Sequence, residues 1–522
     1  MTKLKLISEI SIMLIIALGF VFLISLYVPF NMDEFVGYRA LAYWYYPLNR
    51  LNTFVESYHG YDLAPFGKNF FLQLRSYQYI GSLPSIIYYP LFKVWPSPYS
   101  ARFLGLLILA IQALLIHRIF KIDPLLSFIL LLSYMPYAFQ HVVDKGPVAL
   151  QITSVFFICY LMPKWMLSIR NNSRLSGTYP LVIGIVFFLG VWIKIAYFFM
   201  LPGILGLMLY YIISERDMFV SSGYSKLKKI AQHLLILFCA AGIPIFILLN
   251  AFDRYGYRYY GYLTYSIQNP INRNIERLIK HLYKLSEYFI NPPATANNIF
   301  IMKEVMTLAG ILMAAVIIIL LYYGIRQCRM EKIKYAFPLV NIALFLLTFF
   351  FIALSARTKY MHHVVLSLPF LIFALFYIGS KLYKNAFVII LLVIFLATNY
   401  ISYFDLTKLK PTPFDHPSKI KLNNLLNKYA DKYVFIVIDW GLFYIKALYG
   451  DKNQCVVYII PFRNTGQAAQ LKGVLNKIKR KAMFIGKISS ISNLRLMQKE
   501  FPQLVNLRAD FDTGQWRVWY EK

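Results

Sequence analysis

Residues 10–46 read ISIMLIIALGFVFLISLYVPFNMDEFVGYRALAYWYY. The stretch 10–32 carries no charge and is long enough to cross a hydrocarbon core of about 30 Å as a helix. It runs straight into an adjacent acidic pair, Asp33 and Glu34. Lys3 and Lys5 precede it and no small-residue cleavage site follows. The stretch therefore reads as an uncleaved first span with a cytoplasmic N-terminus, not as a signal peptide.

Working outward, ten further apolar runs fall near 102–119, 124–142, 147–167, 179–195, 197–213, 230–251, 304–325, 335–356, 361–380 and 385–403. With the first they make about eleven spans. The division at Lys194 is open, since one long helix or two short ones would fit. Residues 77–95 are also apolar but contain Pro84, Pro90 and Lys93, so we expect a helix lying along the interface. Short loops assigned to the cytoplasm hold seventeen Lys and Arg, against four in short outer loops, which satisfies the positive-inside rule. Counting 77–95 as a span would reverse that bias. Three long outer segments remain: 31–101, 252–302 and 404–522.

Composition agrees. Apolar types make up 59% of the 522 residues and charged types 15%, where a soluble domain carries roughly 25% charge. Mean hydropathy is +0.55. A disordered chain and an ordinary cytosolic enzyme are excluded. The net charge of +31 need not imply a nucleic-acid partner, because membrane proteins carry an excess of Lys and Arg in cytoplasmic loops. The four cysteines show neither a disulfide framework nor metal-ligand spacing. There is no G-x-x-x-x-G-K-[ST] and no H-E-x-x-H, which argues against an ATPase and a zinc protease.

After residue 403 the composition becomes soluble-like. YVFIVIDWG (433–441), QCVVYIIP (454–461), AMFIGKI (482–488) and QWRVWYE (515–521) read as strands. LNNLLNKYA and AAQLKGVLNKIKRK read as helices. The expected architecture is a mainly α, polytopic helix bundle over 1–403 and a small extracytoplasmic α/β domain over 404–522.

Charged residues at the outer membrane boundary are the candidates for chemistry. Asp33 and Glu34 would act as a general base or bind a cation; Asn31 or Asp33 would equally serve as a helix cap. Asp144, in HVVDKGPVAL, lies on the same face as Asp33, and two carboxylates there suit acid/base or metal-assisted work. Capping the next helix is its plainer role. Lys194 interrupts an otherwise charge-free stretch, 175–214. It marks a functional site or a snorkelling lysine. The short outer loop ARTKYMHHVVLSLP (356–369) gathers Arg357, Lys359, Tyr360, His362 and His363, the composition of a phosphate clamp or an interfacial anchor. In FDRYGYRYYGYLTYS, Arg254 and Arg258 interleave with tyrosines and would face sugars, phosphates or the interface.

In order and sidedness these motifs resemble the GT-C superfamily of integral-membrane glycosyltransferases, in particular the branch of protein O-mannosyltransferases and lipid A aminoarabinose transferases. The resemblance covers most of 1–403. It rests on the first span ending in Asp33-Glu34, the interfacial YIGSLPSIIYYPLFKVW, Arg102 in SARFLG, Asp144 in DKGPVAL, Lys194 in GVWIKIAYFFMLP, and RTKYMHHVVLSLP. GSLPS stands where those relatives often carry a His-Pro-Pro type motif. The resemblance implies a polyprenyl-phosphate sugar donor in the outer leaflet and a glycan, lipid or protein acceptor. It implies Asp33 as general base, Glu34 or Asp144 orienting the acceptor or holding a cation, and Lys194, Arg357 and Lys359, with Arg102 and His362, around the donor phosphate. A divalent cation is the one cofactor left open, and its ligands are unknown. A ligase or polymerase using a pyrophosphate-linked donor shares this topology. A lipid-linked saccharide flippase would instead place charges at the bilayer midplane and show pseudo-symmetric halves, which the sequence does not.

Overall fold

The computed structural model describes residues 3–27, 60–62, 71–73, 75–77, 80–95, 97–133, 135–142, 148–171, 173–214, 224–253, 322, 337–355, 365–382, 424, 426–437, 455–458, 465–478, 481–487, 499–506 and 516–521. The chain divides into two compact units, Met1–Val21 with Arg102–Lys410, and Phe22–Ala101 with Pro411–Lys522.

Helix α1, Lys3–Tyr27, begins earlier than the uncharged run. Its first turns are tolerated because Lys5 lies 3.6 Å from Glu9 and 3.7 Å from Asp123, so the charges at this end are matched. Met13, Ala17, Val21 and Ile24 are buried along one stripe while Ile15, Leu18 and Phe22 stay exposed. An apolar side chain left outside the protein at helical spacing is one solvated by lipid.

In the segment after α1, two short antiparallel pairs form, β1 (Gly60–Asp62) with β2 (Phe71–Gln73) and β3 (Arg75–Tyr77) with β4 (Ile80–Gly81). The sequence reading placed no strands there. Helix α2, Leu83–Val94, follows as twelve residues, about 18 Å at 1.5 Å per residue and too short to span. That length supports the interfacial reading. Tyr88 is buried and its hydroxyl lies 2.6 Å from Ser100 Oγ. Burial pushes its phenol well above the usual value.

Helix α3 is Pro98–Phe120. The run expected as one span over 124–142 is two helices, α4 (Pro124–Ser133) and α5 (Met135–Val142). Pro136 accounts for the break: it has no N–H to donate to the carbonyl of residue 132 in a continuous helix, and it stands in the first turn of α5, where no such donor is needed. Helix α6, Val148–Arg170, is buried on nearly every face, which makes it central. It touches α5, α7 (Thr178–Ile193), α8 (Leu201–Ser214) and, further on, α11. Trp165 Nε1 on α6 donates to His233 Nδ1 on α9, Tyr224–Asp253, at 3.0 Å. Leu235, Phe238, Phe246 and Ile247 of α9 are exposed, a second lipid-facing surface. Helices α10 (Phe337–Ser355) and α11 (Leu368–Leu382) pack on each other, and Phe337 lies 5.0 Å from Tyr377, ring to ring.

Among the described residues six helices are long and apolar enough to cross a membrane, and three more are apolar but shorter. The molecule is an integral membrane protein. The expected spans over 304–325, Tyr322 apart, and over 385–403 lie outside the described residues.

In the tail a five-stranded sheet has the order β6-β5-β7-β9-β8. Its strands are β5 (Tyr433–Val437), β6 (Cys455–Tyr458), β7 (Lys481–Lys487), β8 (Leu504–Asn506) and β9 (Trp516–Glu521), and helix α12 (Thr465–Ile478) leads from β6 to β7. β5 is parallel to β6 and β7, whereas β9 is antiparallel to β7 and β8. β6 and β7 run in the same direction on either side of β5, so the chain between them crosses over β5, and α12 lies in that crossover. Val434, Phe435 and Ile436 on β5 and Met483, Phe484 and Ile485 on β7 are all buried. Consecutive buried residues mean that both faces of the central strands are covered. All four expected strands are present. β8, only three residues at the edge, was not foreseen.

Candidate functional site

The open division at Lys194 is resolved as two helices. α7 stops at Ile193, Lys194 is extended (φ −161°, ψ 134°), and a 3-10 turn over Ile195–Met200 leads into α8. No proline or positive φ lies at the junction. Side chains of α6 hold it instead. Gln151 Nε2 donates to the Lys194 carbonyl at 2.6 Å and to the Gly190 carbonyl at 3.1 Å. Backbone bonds complete the turn: Lys194 N–H reaches Gly190 O at 3.3 Å and Tyr197 N–H reaches Lys194 O at 3.0 Å. The Tyr197 ring lies flat against Gly190, where a Cβ would sit 2.5 Å from its Cε1. Its hydroxyl shares a 2.7 Å hydrogen bond with Ser154 of α6. Lys194 itself is 3% exposed.

A second polar cluster sits on another side of the same two turns of α6. Tyr137 O–H donates to Gln112 Oε1 at 2.6 Å. Gln112 Nε2 donates to Thr153 Oγ1 at 2.8 Å and lies 2.9 Å from His141 Nε2. His141 Nδ1 lies 2.8 Å from the Tyr137 carbonyl. A carbonyl only accepts, so Nδ1 carries the proton and Nε2 accepts from the Gln112 amide. Gln112, Tyr137 and His141 are completely buried. Gly105 of α3 lets α5 come this close, because a Cβ there would collide with the His141 carbonyl. These residues brace the end of α5 and the start of α6, the two elements that flank Asp144.

Of the residues singled out from sequence, the described part contains Lys194 and Arg102. Arg102 is fully buried in the first turns of α3. Asp33, Glu34, Asp144, Arg254, Arg258, Arg357, Lys359, Tyr360 and His362 lie outside the described residues. Sequence reasoning missed Gln151, Gln112, Tyr197 and His141. The signal was an amide inside an apolar span, in AIQALL and VALQIT, where hydrocarbon offers it no partner.

Solved structures are similar to this chain. ArnT from Cupriavidus metallidurans, crystallised with undecaprenyl phosphate, is similar at a TM-score of 0.51 and 11% identity, covering 100% of this chain and 98% of that one. The chain shares the fold of this ArnT. The oligosaccharyltransferase of Archaeoglobus fulgidus in its apo form is similar at a TM-score of 0.42 and 14% identity, covering 92% of this chain and 70% of that one. No family model matches the chain, and no curated protein sequence matches it. Within this fold, Lys194 closes α7, Gln151 stands on α6 and Gln112 on α3.

Proposed function

We propose that this protein is a membrane glycosyltransferase that moves a sugar from a polyprenyl-phosphate donor to an acceptor on the extracytoplasmic face. The observation that carries the reading is Lys194: a buried cation at an opened junction between two apolar spans, in a chain sharing its fold with a protein crystallised with undecaprenyl phosphate. An ionisable residue set among apolar spans marks a functional site. A cation there would stabilise the charge that grows on a leaving phosphate and so lower the barrier.

In this mechanism the Asp33 carboxylate takes the proton of an acceptor hydroxyl. The oxygen attacks the anomeric carbon as the bond from that carbon to the phosphate oxygen breaks, and polyprenyl phosphate leaves with the electron pair. In-line attack inverts the anomeric centre. Glu34 or Asp144 orients the acceptor or holds a cation, and Lys194, Arg357 and Lys359, with Arg102 and His362, match the charge of the phosphate. Tyr360, Arg254 and Arg258 would contact the substrates. With phosphate as leaving group no nucleotide is needed, in keeping with a sequence without nucleotide motifs.

The test is release of polyprenyl phosphate from a panel of polyprenyl-phosphate sugars by the purified protein in detergent, wild type beside Asp33→Asn. Release from one donor, abolished in the variant, is expected. No release from any donor by intact protein overturns the reading and turns attention to pyrophosphate-linked donors.

A further inference from the structure

Gln151 has no charge, touches no expected substrate group and is completely buried, yet its amide reaches both sides of the break at Lys194. We propose that Gln151 is a positioning residue for polyprenyl-phosphate binding: it holds the α7–α8 junction open so that the Lys194 ammonium is delivered to the phosphate. The proposal rests on the reading of Lys194 given above.

The argument begins with the direction of a side chain. In a continuous helix Lys194 would lean back along α7 toward residues 190 and 191. The Tyr197 ring already occupies the Gly190 surface. Extended backbone at Lys194 turns its side chain away from that path, and only while the junction keeps this shape. Left to backbone bonds alone, the junction is weakly determined. The Lys194 N–H to Gly190 O bond is long, 3.3 Å, and one 3-10 bond follows it. The two Gln151 bonds, at 2.6 and 3.1 Å, tie the last turn of α7 and the first residue after it to one rigid point on the central helix. Ser154, three residues further along α6, bonds the Tyr197 hydroxyl at 2.7 Å.

The chemistry of the residue is specific. Donating to two carbonyls takes an NH2 group. A glutamate cannot supply it, and a methionine of the same length supplies no donor. Gln151 Oε1 has no hydrogen-bond partner, so the amide is retained for its nitrogen at the cost of an unsatisfied oxygen. Both carbonyls also accept a backbone N–H, so removing Gln151 leaves neither orphaned. Gln151→Met should therefore fold with a loosened junction.

The experiment is a double-mutant cycle on binding of undecaprenyl phosphate to the detergent-purified full-length protein, with Gln151→Met, Lys194→Met and the pair. Hydrogen exchange over 190–200 is read on the same samples. Lys194→Met should weaken binding about tenfold, the factor for losing one charge-assisted contact. Gln151→Met should weaken it about fivefold alone and by less than about twofold in the Lys194→Met background, with faster exchange confined to 190–200. An equal loss in both backgrounds, or none in either, overturns the proposal while Lys194 stands. Unchanged binding in Lys194→Met overturns the reading of Lys194 and this proposal with it. If Gln151→Met does not fold, Gln151→Glu replaces it: the acid form keeps the shape and one donor. Its loss of affinity should grow as pH rises, and a loss independent of pH overturns the proposal.

Discussion

Gly190 and Tyr197 show how little room the Lys194 junction leaves. The Tyr197 ring fills the space a side chain at 190 would need. Gly190→Ala should cost about 1–3 kcal/mol through overpacking, read as a lower Tm, and most of that cost should vanish in a Tyr197→Leu background. Equal cost in both backgrounds would mean that the ring is not the obstacle. Lys194→Met should slow release of polyprenyl phosphate about a hundredfold, the size seen when one stabilising donor of a developing charge is removed; a rate within twofold of wild type would remove Lys194 from the site. Lys194 was legible in sequence because a charge in an apolar stretch has few explanations. Gln151 was not, because its meaning depends on carbonyls 39 and 43 residues away.

At the scale of elements, polar side chains inside the bundle do the joining that water would do outside. The Tyr137, Gln112, His141 and Thr153 cluster ties α3, α5 and α6 together around one amide. Tyr137→Phe leaves Gln112 Oε1 buried without a donor, a loss of about 1–3 kcal/mol. The control is Tyr160→Phe, whose hydroxyl bonds exposed Lys164 and whose loss should stay within about 0.5 kcal/mol. Thermal unfolding in detergent should rank the two variants in that order, and the reverse order would place the cluster among decorative contacts. Hydropathy located α4 and α5 as a single span because it averages over Pro136, whereas the backbone cannot hydrogen-bond through it.

At the scale of the molecule, the lysine and arginine bias predicts a cytoplasmic N-terminus and an outer tail. A phosphatase reporter fused after residue 522 should be active, and one fused within the inner loop near residue 171 should be silent; the opposite pattern would invert the topology and remove Asp33 from the donor's side. The tail sheet has its own core. Phe484 is fully buried and packs 5.0 Å from the Phe501 ring, so Phe484→Ala should cost about 3–5 kcal/mol and expose the tail to protease while the apolar helices stay resistant. Simultaneous loss of both parts would mean that they unfold together.

The sequence by itself determined that the chain is a membrane protein, where most helices run, which tail segments are strands, and that a cation stands between two apolar runs. These are local properties: hydropathy over twenty residues, alternation over five, a charge without neighbours. Only the tertiary structure decided the strand order β6-β5-β7-β9-β8, the shape of the junction at Lys194 and the amides that hold it. Each of these depends on a hydrogen bond between groups far apart in the chain or on a side chain meeting a backbone it does not precede, and no local pattern encodes which partner satisfies a buried donor.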